Sequence, residues 1–319
     1  MSDSGGRLTL WGVEVFLAAA EEGSVSAAAR RLGASPSAIS QQITNLETAL
    51  GAELLNRSSR PMTLTPAGRV LRTRAQVIQS EAARARSEIA GLDLTQLGQL
   101  RLGMVEDFEA SVTPTLIADM ADSLSKTRFE LQTGPSHRLL DKLEHRALDI
   151  VVAADLGPPA AWMDVRPLLR DPFVMVVPKG HERSLDALTE LPYIEYTSRH
   201  AMGRALSAHL TEQGVRTPRR FELDSYRAML AMVAGGRGWT ILTVLGAQHA
   251  GRYASEVEVH PLPVTPLSRQ LSLYAHTDGM PDMADDIAAR LRPLIQTRVV
   301  APAVETWPWL AGQIDLTET

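Results

Sequence analysis

Ser37, Ser40, Gln41, Thr44, Asn45 and Thr48 recur at helical spacing and form one face of a predicted helix. The face consists of short hydrogen-bonding side chains and holds neither a carboxylate nor a large apolar group. A row of this kind can lie close to base edges and phosphates in a DNA major groove. Ser35, Pro36 and Gln42 join it as candidate contacts. Downstream, residues 55–65 read as a short hairpin with Arg57 and Arg60 at its tip, placed to grip a phosphate backbone. Ordinary surface arginines are the plainer reading of that pair.

A second set of polar residues lies at the C-terminal ends of predicted strands, where helix N-termini offer free N–H groups to a ligand. It comprises Glu106, Asp107 and Ser111; Gly134, Pro135 and Ser136; Thr197 and Ser198; and Asp224 and Ser225. Each Ser or Thr serves equally well as a plain helix cap. The loop Glu106-Asp107-Phe108-Glu109 gathers three acids around one aromatic ring. If the acids face a cleft, they favour an amine-bearing ligand, with Phe108 offering its face to the cation. If they face solvent, Arg138, Arg199 or Arg227 would make an anion site instead. No metal-ligand spacing, nucleophile elbow or phosphate-binding loop is present to turn the acid pair, or His137, into a catalytic centre. We therefore expect no enzyme and no metal or organic cofactor.

The elements that position these residues follow from period and punctuation. Leu10, Val13, Phe16, Leu17 and Ala20 predict a first helix stopped by Gly23, and Ser24 caps a second with Val25, Ala28, Ala29 and Leu32 inward. Ser35-Pro36 opens the third helix, whose inner stripe is Ile39, Ile43, Leu46 and Leu50, with Gly51 as its stop. Thr65-Pro66 opens a fourth. Along it Leu71, Ala75, Ile78, Ala82, Ala85, Ile89 and Leu92 alternate spacings of four and three, the seam of a coiled coil. The seam predicts dimerisation, with packing on its own chain as the alternative. Beyond residue 98 strands and helices alternate, an α/β series with a mainly parallel sheet. Its expected elements include strands over 100–105, 129–133, 149–153, 173–177, 193–196, 221–223, 239–243 and 271–275, and a helix over 184–190. Two consecutive units of similar size predict two lobes with a cleft between them.

An alanine-rich helix, a tight turn, a serine-faced helix and a basic wing together resemble the winged helix-turn-helix of LysR-type transcriptional regulators. The matching positions are Phe16, Gly23-Ser24, Ala28-Ala29, Leu32, Ser37, Ser40, Ile43, Leu46-Glu47, Leu50-Gly51, Leu54, Arg57, Leu64-Thr65 and Ala67-Gly68. Gln41 departs from the Arg or Lys common there; it lacks the fork that grips guanine, so adenine or weaker discrimination is expected at that base. GQLRLGM at 98–104, LDIVVA at 148–153, FVMVVPKGH at 173–181 and AMVAGGRGWTILT at 231–243 are similar to the family's effector domain. The resemblance covers residues 8–295. It implies a winged DNA-binding domain (8–65), a dimerising linker helix (66–94) and a two-lobed effector domain of the periplasmic-binding-protein fold (98–296). It also implies a small-molecule effector, double-stranded operator DNA as partner, and self-association as a dimer that commonly pairs into a tetramer, with RNA polymerase as a further candidate partner. The tail, 297–319, lies outside it; a docking segment and a folded-back cap both suit its Trp307-Pro308-Trp309.

Composition sets the outer bounds. The 319 residues carry 45% hydrophobic and 22% charged side chains, enough for several packed domains. The net charge of −5 excludes a basic nucleic-acid coat, although residues 1–100 hold ten arginines, no lysine and nine acids. The absence of cysteine excludes disulfides, thiolate catalysis and cysteine metal sites. No apolar run reaches the roughly 18 residues that span a bilayer, and the N-terminus has no apolar signal core, so a cytoplasmic protein without membrane contact is expected. A two-lobed solute-binding receptor is the alternative reading, but it has no use for residues 8–65.

Overall fold

The computed structural model describes residues 7–89, 97–181, 188, 190–215 and 219–317. The chain divides into two compact units that part at Gly98 and Gln99.

In the first unit, α1 (Leu10–Glu22), α2 (Val25–Leu32) and α3 (Pro36–Leu50) each begin with a side-chain cap. Thr9, Ser24 and Ser35 accept from Gly12 N, Ala27 N and Ala38 N. Each helix ends at a left-handed glycine, Gly23, Gly33 and Gly51, with φ of 64°, 62° and 63°. Val13, Phe16, Ala19, Ala28, Ile39, Ile43 and Leu46 close into one core. Leu50 does not complete the expected stripe: it is the last helical residue before Gly51 and is 41% exposed. The wing is β1 (Leu55–Asn56) paired antiparallel with β2 (Thr63–Leu64), and Met62 and Leu64 return to the core.

The fourth helix, α4 (Pro66–Ile89), is opened by Thr65, whose Oγ1 accepts from Gly68 N at 3.0 Å. Its apolar seam divides into two parts. Ala75 is fully buried against the core of its own unit, and Leu71 and Ile78 pack half-buried on that core. Ala75 is therefore corrected from a dimer contact to a core residue. Ala82 is half-buried and Ala85 exposed. The side chain of Ile89, and all of residues 90–94 including Leu92, lie outside the described residues.

The second unit holds β3 (Gln99–Met104), α5 (Thr113–Ser123), β4 (Arg128–Thr133), α6 (Ser136–Glu144), β5 (Ile150–Ala154) and β6 (Met163–Pro178). Then come β7 (Tyr193–Tyr196), α7 (Ala201–Glu212), β8 (Arg219–Leu223), α8 (Tyr226–Ala234), β9 (Thr240–Thr243), α9 (Val244–Gln248), β10 (Val257–Pro261), β11 (Ser268–His276) and α10 (Pro281–Ile295). The expected mainly parallel sheet is instead mixed. β3 runs parallel to β4 and β5, and β7 to β8, but β11 is antiparallel to β5 and β6, and β6 to β9 and β10. The lobes are also not consecutive. β6 begins ten residues before the expected Phe173; its first part pairs with β11 in one lobe and its last with β9 and β10 in the other. β11 brings the chain back. The second lobe is thus inserted between two crossing strands, whose polar residues broke the apolar signal that the reading relied on. Of the helix expected over 184–190, only Leu188 and Glu190 are described.

The tail is not a separate segment. A π-turn over 296–300 and α11 (Ala301–Thr306) lead to β12 (Asp315–Leu316), which pairs antiparallel with β6 at Leu169 and Arg170. Arg170 grips Asp315 through two bonds of 3.0 and 2.9 Å. Arg292 donates to Thr317 O and to Pro167 O, and Val299, Ala303, Leu310 and Ile314 are buried. The tail folds back and covers an edge of the sheet.

Candidate functional site

On α3 the predicted polar face stands open. Ser35, Pro36, Ser37, Gln41 and Asn45 are exposed, while Ser40 and Gln42 are half-buried beside the apolar stripe. Gln41 Nε2 donates to Asn45 Oδ1 at 2.8 Å, which holds the two amides one turn apart on one line. Thr44 and Thr48 turn their hydroxyls back to the carbonyls of Ser40 and Thr44. The wing is tied to this helix by Glu47. Its Oε1 accepts from Leu54 N at 2.9 Å, and its Oε2 pairs with Arg57 Nη2 at 2.7 Å. The same Nη2 reaches Thr44 Oγ1 at 3.3 Å. Arg57 thus both anchors the wing and presents a half-exposed cation beside α3, whereas Arg60 is exposed in the wing turn.

Between the two lobes of the second unit lies a cavity of about 790 Å³. Seven predicted residues line it: Glu106, Asp107, Gly134, Pro135, Ser136, Asp224 and Ser225. Three do not and are corrected. Ser111 closes the turn after β3, its backbone N donating to Phe108 O at 3.3 Å, and does not reach the cavity. The Thr197 hydroxyl is buried and donates to Glu222 Oε1 at 2.6 Å, and Ser198 donates to that oxygen from its backbone N at 3.0 Å. These bonds hold the Glu222 carboxyl below its ordinary range. Phe108 is fully buried in the core, so it offers no face to a ligand. Arg138 and Arg199 line the cavity; Arg227 does not.

The sequence reading missed the cavity floor. Arg269, from β11, is clamped by two acids. Its Nη2 donates to Asp107 Oδ1 at 2.7 Å and to Thr243 Oγ1 at 3.3 Å, and its Nε donates to Asp171 Oδ2 at 3.0 Å. Asp171 sits opposite Arg269 in the β6–β11 register and is fully buried. Burial pushes its carboxyl up to about 6; Arg269 opposes this and Asp107 adds to it. The Arg269 guanidinium stays charged: burial opposes the charge, but Asp107 and Asp171 more than compensate. One signal was available. A charged residue embedded in a strand run, as Asp171 and Arg269 both are, needs a buried partner.

The walls combine aromatic and imidazole rings. Tyr196 stacks on Tyr226 with centroids 5.4 Å apart, and the Tyr196 hydroxyl meets His200 Nδ1 at 3.1 Å. His200 lies 5.4 Å from His137. Burial, then His137, lowers the pKa of His200, so the neutral ring is favoured. Burial and the charge of Asp107 push the Tyr196 hydroxyl up to about 12. On the lobe carrying β5, Asp155 Oδ1 accepts from Tyr274 at 2.6 Å and from Ser272 at 2.7 Å. α7 approaches the end of β7 so closely that a Cβ on Gly203 would stand 2.2 Å from Thr197 O.

Residues 10–69 match the family model described as bacterial regulatory helix-turn-helix protein, lysR family, and residues 95–294 the one described as LysR substrate binding domain. A probable hydrogen peroxide-inducible genes activator of Mycobacterium avium is 30% identical over 76% of this chain and 80% of its own length. The HTH-type transcriptional activator CmpR of Synechocystis is 28% identical over 84% of this chain and 93% of its own. Among solved structures, a full-length OxyR cysteine variant from Pseudomonas aeruginosa covers 90% of this chain and 95% of its own, at TM-score 0.67 and 22% identity. CbnR in complex with its target DNA covers 92% of this chain and 100% of its own, at TM-score 0.60 and 19% identity.

Proposed function

The chain belongs to the LysR family of DNA-binding transcriptional regulators with an effector-binding domain, and we propose that α3 reads its operator while the interlobe cavity takes its effector. The observation that carries the first half is the open, carboxylate-free face of α3 beside a wing that Glu47 and Arg57 tie to it. In this reading Gln41 and Asn45 meet base edges, and Ser35, Ser37, Arg57 and Arg60 meet phosphates. The protein acts as a dimer on double-stranded DNA, with the stretch of α4 around the exposed Ala85 as the partner contact, and dimers pair into a tetramer. Its place of work is the cytoplasm, with RNA polymerase as a further partner. The acids of the cavity recognise a ligand and catalyse nothing.

The second half rests on the crossing strands. β6 and β11 join the lobes and carry Asp171 and Arg269, and Asp107, in the turn after β3, completes the cluster at the cavity floor. Ligand binding shifts the population of lobe arrangements and, through the dimer, the spacing of the DNA-reading helices. Relatives in Mycobacterium are named as peroxide-inducible activators. This chain has no cysteine, so a peroxide signal cannot be read here by a thiol. We take the effector to be a small molecule held without a covalent bond.

Titrating the full chain against operator and random DNA tests the DNA half. Gln41→Ala should lose about 1–3 kcal/mol on the operator and little on random DNA. Arg57→Ala should weaken both and flatten the salt dependence by roughly one unit of slope. Equal losses on both DNAs for Gln41→Ala would remove it from the base-reading set.

A further inference from the structure

The cavity has an uneven charge balance. Four carboxylates line it, Glu106, Asp107, Asp155 and Asp224, against three guanidinium groups, Arg138, Arg199 and Arg269. Arg269 is already engaged by Asp107 and by the buried Asp171 through Nε and Nη2, so this floor cluster carries one net negative charge; its Nη1 meets only Met202 Sδ, at 3.9 Å. Arg199 stands 3.5 Å from Asp224 and is 77% exposed at the rim. Asp155 is held by two hydroxyls and, among the described residues, by no cation. Glu106 has no cationic partner among the described residues. Its carboxyl is pushed up by partial burial and by the like charges of Asp107, Glu109 and Asp224, so the negative field converges on this wall. The imidazole of His200 tends to the neutral form and does not restore the balance. Next to the acids stand the stacked rings of Tyr196 and Tyr226.

We infer that the effector of this cavity carries a protonated amine, received by Glu106 and the net-negative floor cluster with the Tyr196–Tyr226 face beside it. The inference rests on the cavity being the effector site. An ammonium entering here meets the charge-assisted acceptors that its lost hydration requires, and aromatic faces that attract cations. A bare carboxylate would meet a net-negative floor, with only the solvent-exposed Arg138 and Arg199 to oppose it. Fixed repulsion of this kind gives selectivity as effectively as added attraction.

The test is calorimetric titration and thermal unfolding of the full chain with putrescine, agmatine and phenethylamine, and with succinate and benzoate, at millimolar concentration. Wild type is compared with Glu106→Gln and with Ala205→Trp, which fills the cavity from an exposed position on its lining. Expected are binding and stabilisation by an amine, weakened roughly tenfold or more by Glu106→Gln, as loss of a charge-assisted bond implies, and abolished by Ala205→Trp. Binding by carboxylates alone, abolished by Ala205→Trp, overturns the amine while leaving the cavity as the effector site. Binding that persists in Ala205→Trp overturns both. No response to any amine overturns the inference.

Discussion

Asp171 and Asp107 share the guanidinium of Arg269, and the consequences are electrostatic before they are structural. Asp171 binds its proton more tightly folded than unfolded, its carboxyl being raised from 3.8 to about 6. Between those values the folded state holds a proton that the unfolded chain has lost, so this group's contribution to stability falls as pH rises towards 6 and is level above it. Asp171→Asn removes that slope. The difference in unfolding free energy, wild type minus variant, should therefore decline from the ordinary carboxylate range up to about pH 6 in denaturant titrations. A difference that rises with pH over that range would show that Arg269 outweighs burial and holds the acid ionised throughout.

At the scale of elements, α4 is the instructive case. Its period is that of a coiled coil, yet Leu71, Ala75 and Ile78 close the core of their own unit. Ile78→Asp should therefore destabilise the DNA-reading unit by setting a charge against its core. Ala85→Asp, at an exposed position, should leave the melting temperature near wild type and lower the mass in sedimentation. A folded Ala85→Asp protein of unchanged mass would move the dimer contact elsewhere. The tail makes a second case. Cutting the chain after Leu310 removes β12, the partners of Arg170 and one of the two carbonyls that Arg292 holds, and should cost about 1–3 kcal/mol and expose a strand edge to self-association. Unchanged melting and mass would show the tail to be dispensable. The first unit was legible because its signals are local: caps three residues from the N–H they hold, glycines at helix ends, an apolar stripe within fifteen residues. The β6–β11 register was not, since a sequence separation of 98 between Asp171 and Arg269 leaves no periodic trace. Strand ends pointed to residues that line the cavity, Glu106, Gly134 and Asp224. They misplaced Thr197 and Ser198, because a hydroxyl that serves a neighbouring carboxylate looks in sequence like one that serves a ligand.

In the whole molecule, the proposed function joins a sequence-reading helix to a ligand-receiving cavity through a dimer, and every later step depends on specific DNA contact by the first unit. The most direct measurement is capture of genomic fragments by the purified full chain, followed by sequencing of the bound DNA. The expected result is a shared motif with two half-sites spaced by about 34 Å or a multiple of it, the reach of paired recognition helices. This motif should be lost when Ser37, Gln41 and Asn45 are together replaced by alanine. Fragments that share no motif, or a triple variant that captures the same motif as wild type, would contradict the proposed function.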